Sequence, residues 1–248
     1  MPSKLNNPLR KIKPPSYQIP LAPAPREYPV KFDVDLHDPN NLADGPPQTT
    51  AKAWCVYDIN KLTHVCYKNS DHKLEIASMT KIMTAYTSCR IMFGDWQQVN
   101  INTKKIYFRA SHLAAKIGGT TAHIKEGLRY SIYDLLMGLM LPSGNDASLV
   151  LAENLGRFIA AETARTSLTT LKDQIEADPY DEQSSRYWIS RFIKRMNAES
   201  AKLKLVNTSF SNPHGLSDKA NKSSAQDVVR LTMAGLKYPL FCEIVKKY

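Results

Sequence analysis

The chain has 248 residues, 43% of them apolar, which is enough to bury one good-sized core but cramped for two. Its net charge is +10, with eleven basic against four acidic side chains between residues 191 and 248; no aromatic interleaving or nucleic-acid motif goes with the excess, so it reads as a solvated basic face and nucleic acid is not an expected partner. The four cysteines, Cys55, Cys66, Cys89 and Cys242, fit no zinc spacing and make no disulfide framework, so no metal is expected.

Eleven of the fifteen prolines precede residue 48. Each fixes φ, removes a donor and biases its predecessor away from the helix, so residues 1–48 read as a proline-rich disordered arm and 49–248 as the folded body. MPSKLNNPLRKIKPPSYQIP holds no apolar stretch of the kind an export signal needs. The run from Leu135 to Leu141, broken by Gly138, is far short of a membrane span. A soluble chain without a membrane span, cytoplasmic by default, is the expectation.

AKAWCVYDIN and LTHVCYKN flank the turn-like Asp58 to Lys61 and predict an antiparallel hairpin. A turn symmetric about Asn60 and Lys61 sets Cys55 opposite Cys66, but without an export signal reduced thiols are expected. From Ser78 the spacing becomes helical: Met79, Ile82, Met83, Tyr86 and Phe93 form a stripe ending near Gly94. After the turn Gly118-Gly119-Thr120-Thr121, Tyr130 to Met140 predicts a helix that Pro142 terminates. Asp146 suits the N-cap of a helix from Ala147 to Leu155, with Gly156 as its stop. Residues 160–185 are polar and indefinite. Arg186 to Lys204 and Asp227 to Leu236 predict two more helices, and Phe241 to Val245 the start of a strand. The order implies α+β, with a sheet built from the two chain ends.

Two S-x-x-K tetrads occur, Ser70-Asp71-His72-Lys73 and Ser78-Met79-Thr80-Lys81. Only the second begins an amphipathic helix, where residues three apart share a face. A serine hydroxyl attacks well only if a base takes its proton, and a lysine is such a base only if burial lowers its pKa; Ile82, Met83 and Tyr86 beside Lys81 are compatible with burial. The helix N-terminus adds positive potential for an oxyanion. Ser143-Gly144-Asn145, the only S-x-N in the chain, lies between two predicted helices. Alone it would pass for turn chemistry.

Together these boxes match a known set. EIASMTKIMTAY, GGTTAHIKEGLRYSIYDLLMGLMLPSGNDAS and LVNTSFSNPHGLS, in this order, resemble the D-alanyl-D-alanine carboxypeptidases of the low-mass penicillin-binding group, the S11 serine peptidases. The likeness runs from about Ala51 to the C-terminus, with 160–185 longer than the compact pattern. It implies a β-lactamase/penicillin-binding-protein-like α+β fold, a helical cluster against an antiparallel sheet that is incomplete in this chain. It also implies Ser78 as nucleophile, Lys81 as its base, Ser143 as a proton relay and Asn145 as a ligand of the substrate amide. His214 and Gly144 are structural near the site, no cofactor is needed, and β-lactams acylate the same serine. The implied substrate is a peptide ending in D-Ala-D-Ala.

The departure is the third box. No Lys-Ser/Thr-Gly occurs, the nearest being Lys222-Ser223-Ser224. The family pattern sets that box past Tyr248, so the chain is expected to be partial or degenerate and nearly inactive on D-Ala-D-Ala peptides. Two other readings compete. A class A β-lactamase shares Ser78 and Lys81 but carries an aspartate where Gly144 stands, and a degenerate protein would keep the fold as a binding module.

Overall fold

The computed structural model describes residues 49–94, 102–163, 181–216 and 219–247. The expected arm and residues 164–180 lie outside them, as do 95–101. Strands β1 (Trp54–Asp58) and β2 (Thr63–Lys68) form the expected hairpin. At its tip the pairing is symmetric, Asp58 opposite Thr63 and Tyr57 opposite His64, but the register then shifts and pairs Val56 with Cys66 and Cys55 with Tyr67. The extra residue, Val65, makes a bulge. Cys55 and Cys66 therefore stand on opposite faces, and the cross-strand pairing that symmetry suggests is corrected.

Helix α1 (Thr80–Phe93) follows a short 3₁₀ turn, Ala77–Met79, and ends at Gly94, whose N–H bonds the Arg90 carbonyl at φ 63°. The expected one-sided stripe is wrong in kind, because Met79 is exposed and α1 is buried nearly all round. Thr84, Thr87 and Ser88 are buried along with the apolar residues. Strand β3 (Leu74–Glu75), just before α1, pairs with β6 (Lys222–Ser223), and β4 (Tyr107–Arg109) pairs with β5 (Arg129–Ser131). Among the described residues the sheet is these three two-stranded ladders, and only β3–β6 joins early chain to late, in place of one sheet shared by the two ends.

Helix α2 (His112–Lys116) is capped by Ser111. Helix α3 (Ile132–Met140) starts two residues later than periodicity suggests, because Ser131 accepts from the Asp134 N–H and so caps it. Helix α4 (Asn145–Thr163) runs straight through Gly156. That glycine is no stop: a Cβ there would overlap the main chain of Trp188 on helix α5 (Glu182–Lys202), so it permits close packing of α4 on α5. Helix α6 (Ala225–Gly235) is capped by Ser224, and α7 (Pro239–Val245) replaces the expected strand. Pro239 opens α7, and Phe241 and Ile244, three apart, are buried as a helical face requires.

The core gathers Met83 and Cys89 of α1, Leu135, Leu136 and Leu139 of α3, Val150 and Leu151 of α4, Phe192 and Met196 of α5, and Phe241 and Ile244 of α7. An ion cluster runs from the core to the surface beside it. Glu199 of α5 takes Arg90 of α1 at 3.2 Å, with Arg195 and Lys202 on its other oxygen. Burial pushes the Glu199 carboxyl up, but Lys202, Arg90 and Arg195 outweigh it and hold the group below the usual carboxylate range. Among the described residues no helix is long and apolar enough to cross a membrane.

Candidate active site

Ser78 sits in the 3₁₀ turn and is exposed, while Lys81, one turn on, is only 2% exposed. Lys81 Nζ lies 3.1 Å from Ser78 Oγ and donates to the His214 carbonyl at 2.6 Å. Burial lowers the Lys81 pKa to about 8, against the opposing charge of Asp146. The pair is thus an accessible hydroxyl backed by an amine that loses its proton far more readily than a surface lysine. Ser70 behaves otherwise: it lies in the turn after β2 with Lys73 exposed, and its carbonyl is taken by the Gln226 N–H.

The second box is bent into place by its surroundings. Ser143 adopts φ 60°, its carbonyl accepts from the Thr120 hydroxyl at 2.5 Å, and the Gly144 N–H bonds the Gly138 carbonyl at 2.9 Å. Ser143 Oγ is buried and has no hydrogen-bond partner among the described residues. Asn145 donates its side-chain amide to the Gly118 carbonyl at 2.8 Å and its N–H to the Thr120 carbonyl at 2.8 Å. Gly144 must be a glycine. A Cβ there would stand 2.6 Å from Asp146 Oδ1 and 2.7 Å from the Gly138 carbonyl, so the aspartate that the β-lactamase reading requires has no room.

Asp146, expected to cap α4, has another task. Its carboxylate accepts from the N–H groups of Ala122 and Ile124 and from the Thr121 hydroxyl at 2.6 Å, which ties the 118–124 loop to the helix start. Gly119 is flanked by the Asn145 amide and by Leu216, so this loop spans the second box and the loop after His214.

His214 serves through its main chain, as its carbonyl holds Lys81 while Nδ1 accepts from the Leu216 N–H at 3.0 Å. Sequence reasoning missed its neighbour Gly215. With φ +81°, that glycine lies so close to Ala77 that any side chain would overlap the Ala77 carbonyl. A glycine directly after Pro-His was the available signal. Lys222, the nearest stand-in for a third box, lies in β6 opposite Glu75; the Ser223 hydroxyl is 2.7 Å from that of Thr208, and Ser224 caps α6.

Among the described residues no cluster of His, Cys, Asp or Glu is arranged to hold a metal ion.

The family model for D-alanyl-D-alanine carboxypeptidase matches residues 40–160 and 189–247, passing over the stretch that the sequence marks as long. The chain is 30% identical to D-alanyl-D-alanine carboxypeptidase DacF of Bacillus subtilis over 181 residues, 73% of this chain and 38% of that protein. To DacC of Escherichia coli it is 29% identical over 190 residues, 76% of this chain and 40% of that one. It therefore spans about two fifths of the length of these curated relatives. Among solved structures it superposes on D-alanyl-D-alanine carboxypeptidase DacD of Francisella tularensis with a TM-score of 0.60 and 28% identity, covering 82% of this chain and 40% of that one. The Streptomyces K15 DD-transpeptidase gives 0.62 at 24% identity, covering 80% and 65%. The expected α+β fold of the penicillin-binding type is the fold of these neighbours.

Proposed function

The chain belongs to the D-alanyl-D-alanine carboxypeptidase family, the S11 serine peptidases, and from that premise we propose that residues 49–248 form a domain whose Ser78 and Lys81 open a D-Ala-D-Ala peptide bond by acyl transfer. Neutral Lys81 takes the Ser78 proton as Oγ bonds to the carbonyl carbon between the two D-alanines. The carbon–nitrogen bond then breaks, and the leaving amine gains a proton relayed through Ser143, whose buried hydroxyl is uncommitted to any described residue. Asn145 holds the peptide amide. Water hydrolyses the acyl-enzyme, releasing the shortened peptide's carboxylate and restoring Ser78. Gly144 and His214 keep the two boxes in shape, and a β-lactam opens on the same serine as an inhibitor. No step calls for a cofactor.

One observation carries this reading: a buried lysine of pKa about 8 stands within hydrogen-bond reach of an exposed serine at the start of a helix. A surface pair would share the spacing but not the lowered pKa. The test is prolonged incubation of the whole chain with a fluorescent penicillin, followed by intact mass and peptide mapping. An adduct on Ser78 that Ser78→Ala abolishes and Ser70→Ala leaves is expected. An adduct on Ser70, or none, would overturn the proposal.

A further inference from the structure

The segment Pro213–Gly215 lies against the first turns of α1 in a reversed register. Thr84 Oγ1 donates to the Pro213 carbonyl at 2.6 Å, Lys81 Nζ donates to the His214 carbonyl at 2.6 Å, and Gly215 packs on Ala77 with its Cβ position 3.0 Å from Ser78 N. Lys81 and Thr84, three apart, share a face of α1, and with Ala77 of the preceding 3₁₀ turn they meet three consecutive residues of the crossing chain. A lysine head on a four-carbon stem has no direction of its own and takes it from fixed acceptors. Here the fixed acceptor is the His214 carbonyl. Its neighbour Pro213 has no N–H, so its carbonyl is the one main-chain polar group through which that residue can be held. Thr84 is wholly buried, and on the same helix the buried hydroxyls of Thr80 and Thr87 have no hydrogen-bond partner among the described residues. Of these three threonines, Thr84 alone crosses to another segment.

We propose that Thr84 is a positioning residue, which pins the Pro213–His214 main chain so that the His214 carbonyl aims Lys81 Nζ at Ser78 Oγ. The kinetic consequence rests on the proposed function. The orientation of Lys81 does not.

The experiment separates the two. In the whole chain carrying [13Cε]lysine, the Lys81 signal is assigned by its loss in Lys81→Arg and titrated in the parent, Thr84→Val and Thr84→Ser. Bearing on Lys81 are the charge of Asp146 from α4, the His214 carbonyl and the Ser78 hydroxyl at 3.1 Å. Thr84→Val leaves Lys81 buried but loosens the carbonyl that favours its ammonium form, so the titration moves down by about half a unit or more. Thr84→Ser keeps the hydroxyl and restores the parent curve. Acylation of Ser78 by the fluorescent penicillin slows about tenfold or more in Thr84→Val and recovers in Thr84→Ser. A Thr84→Val chain whose Lys81 titrates like the parent's, whatever its melting temperature, overturns the proposal. If Thr84→Val does not fold, Thr84→Cys, similar in volume with a weaker donor, must shift Lys81 in the same direction, and an unchanged curve there is equally fatal. A parent that no β-lactam acylates sinks the proposed function, while the lysine titration still decides the role of Thr84.

Discussion

Gly156 of α4 lies against the main chain of Trp188 on α5, so closely that a Cβ on the glycine would overlap the tryptophan carbonyl. The obstacle is backbone and cannot swing aside. Gly156→Ala should therefore destabilise the fold by about 1 to 3 kcal/mol or more, against the helix propensity it gains. Gly118→Ala is the control, since nothing lies within 4 Å of its Cβ position and its φ is not left-handed; it should be nearly neutral in stability. Urea denaturation of both variants checks this.

Asp146→Ala should act on stability and on the site at once. It orphans the half-buried N–H of Ala122 and the buried N–H of Ile124, the latter alone at about 1 to 3 kcal/mol. It also removes the charge that raises the Lys81 pKa, so the lysine should titrate below about 8. Denaturation and a lysine titration of the same sample test both effects. A destabilised variant with an unmoved Lys81 would separate the loop anchor from the site.

Glu153 makes stability depend on pH. It is fully buried, its Oε1 takes the Ser111 hydroxyl at 2.7 Å, and burial pushes its pKa to about 7 against the opposing effects of Ser111, Ser185 and Arg157. Because the folded value is raised from 4.5, the folded chain holds this proton where the unfolded chain has lost it. The stabilising contribution is complete below the unfolded value and is lost as pH rises through about 7, at about 1.4 kcal/mol for each pH unit that separates the folded from the unfolded value. Glu153→Gln should remove that loss. Denaturation midpoints at pH 5 and pH 8 should differ less in the variant than in the parent, and equal differences would contradict the assignment.

The hairpin register predicts that Cys55 and Cys66 stay free thiols even after mild oxidation, because they face opposite sides of the ladder. Thiol counting under denaturing, non-reducing conditions checks this, and a Cys55–Cys66 cross-linked peptide would contradict it.

Much of this was legible because it is local. The hairpin, the start of α1 and the meeting of Ser78 with Lys81 follow from spacing and from what that tetrad precedes. The errors arose where a distant segment decides the outcome. Gly156 satisfies a local stop rule but serves the contact with α5, and Asp146 looks like a cap but holds the 118–124 loop. The apolar run at Phe241 is too short for its period to be told from a strand's. The bulge at Val65 leaves no mark in composition. The distant acceptors that meet Lys81 and Thr84 are the main-chain carbonyls of His214 and Pro213, and carbonyls carry no sequence signature beyond the glycine that lets the chain approach.

The proposed mechanism has Lys81 deprotonate Ser78 from 3.1 Å away, and its most direct test is the titration of the lysine ε-ammonium in the whole, unliganded chain. One lysine signal, absent from Lys81→Arg, should titrate near 8, well below the ordinary lysine value of about 10.4. If no lysine signal titrates below that ordinary value, or if the low one survives in Lys81→Arg, the account is contradicted.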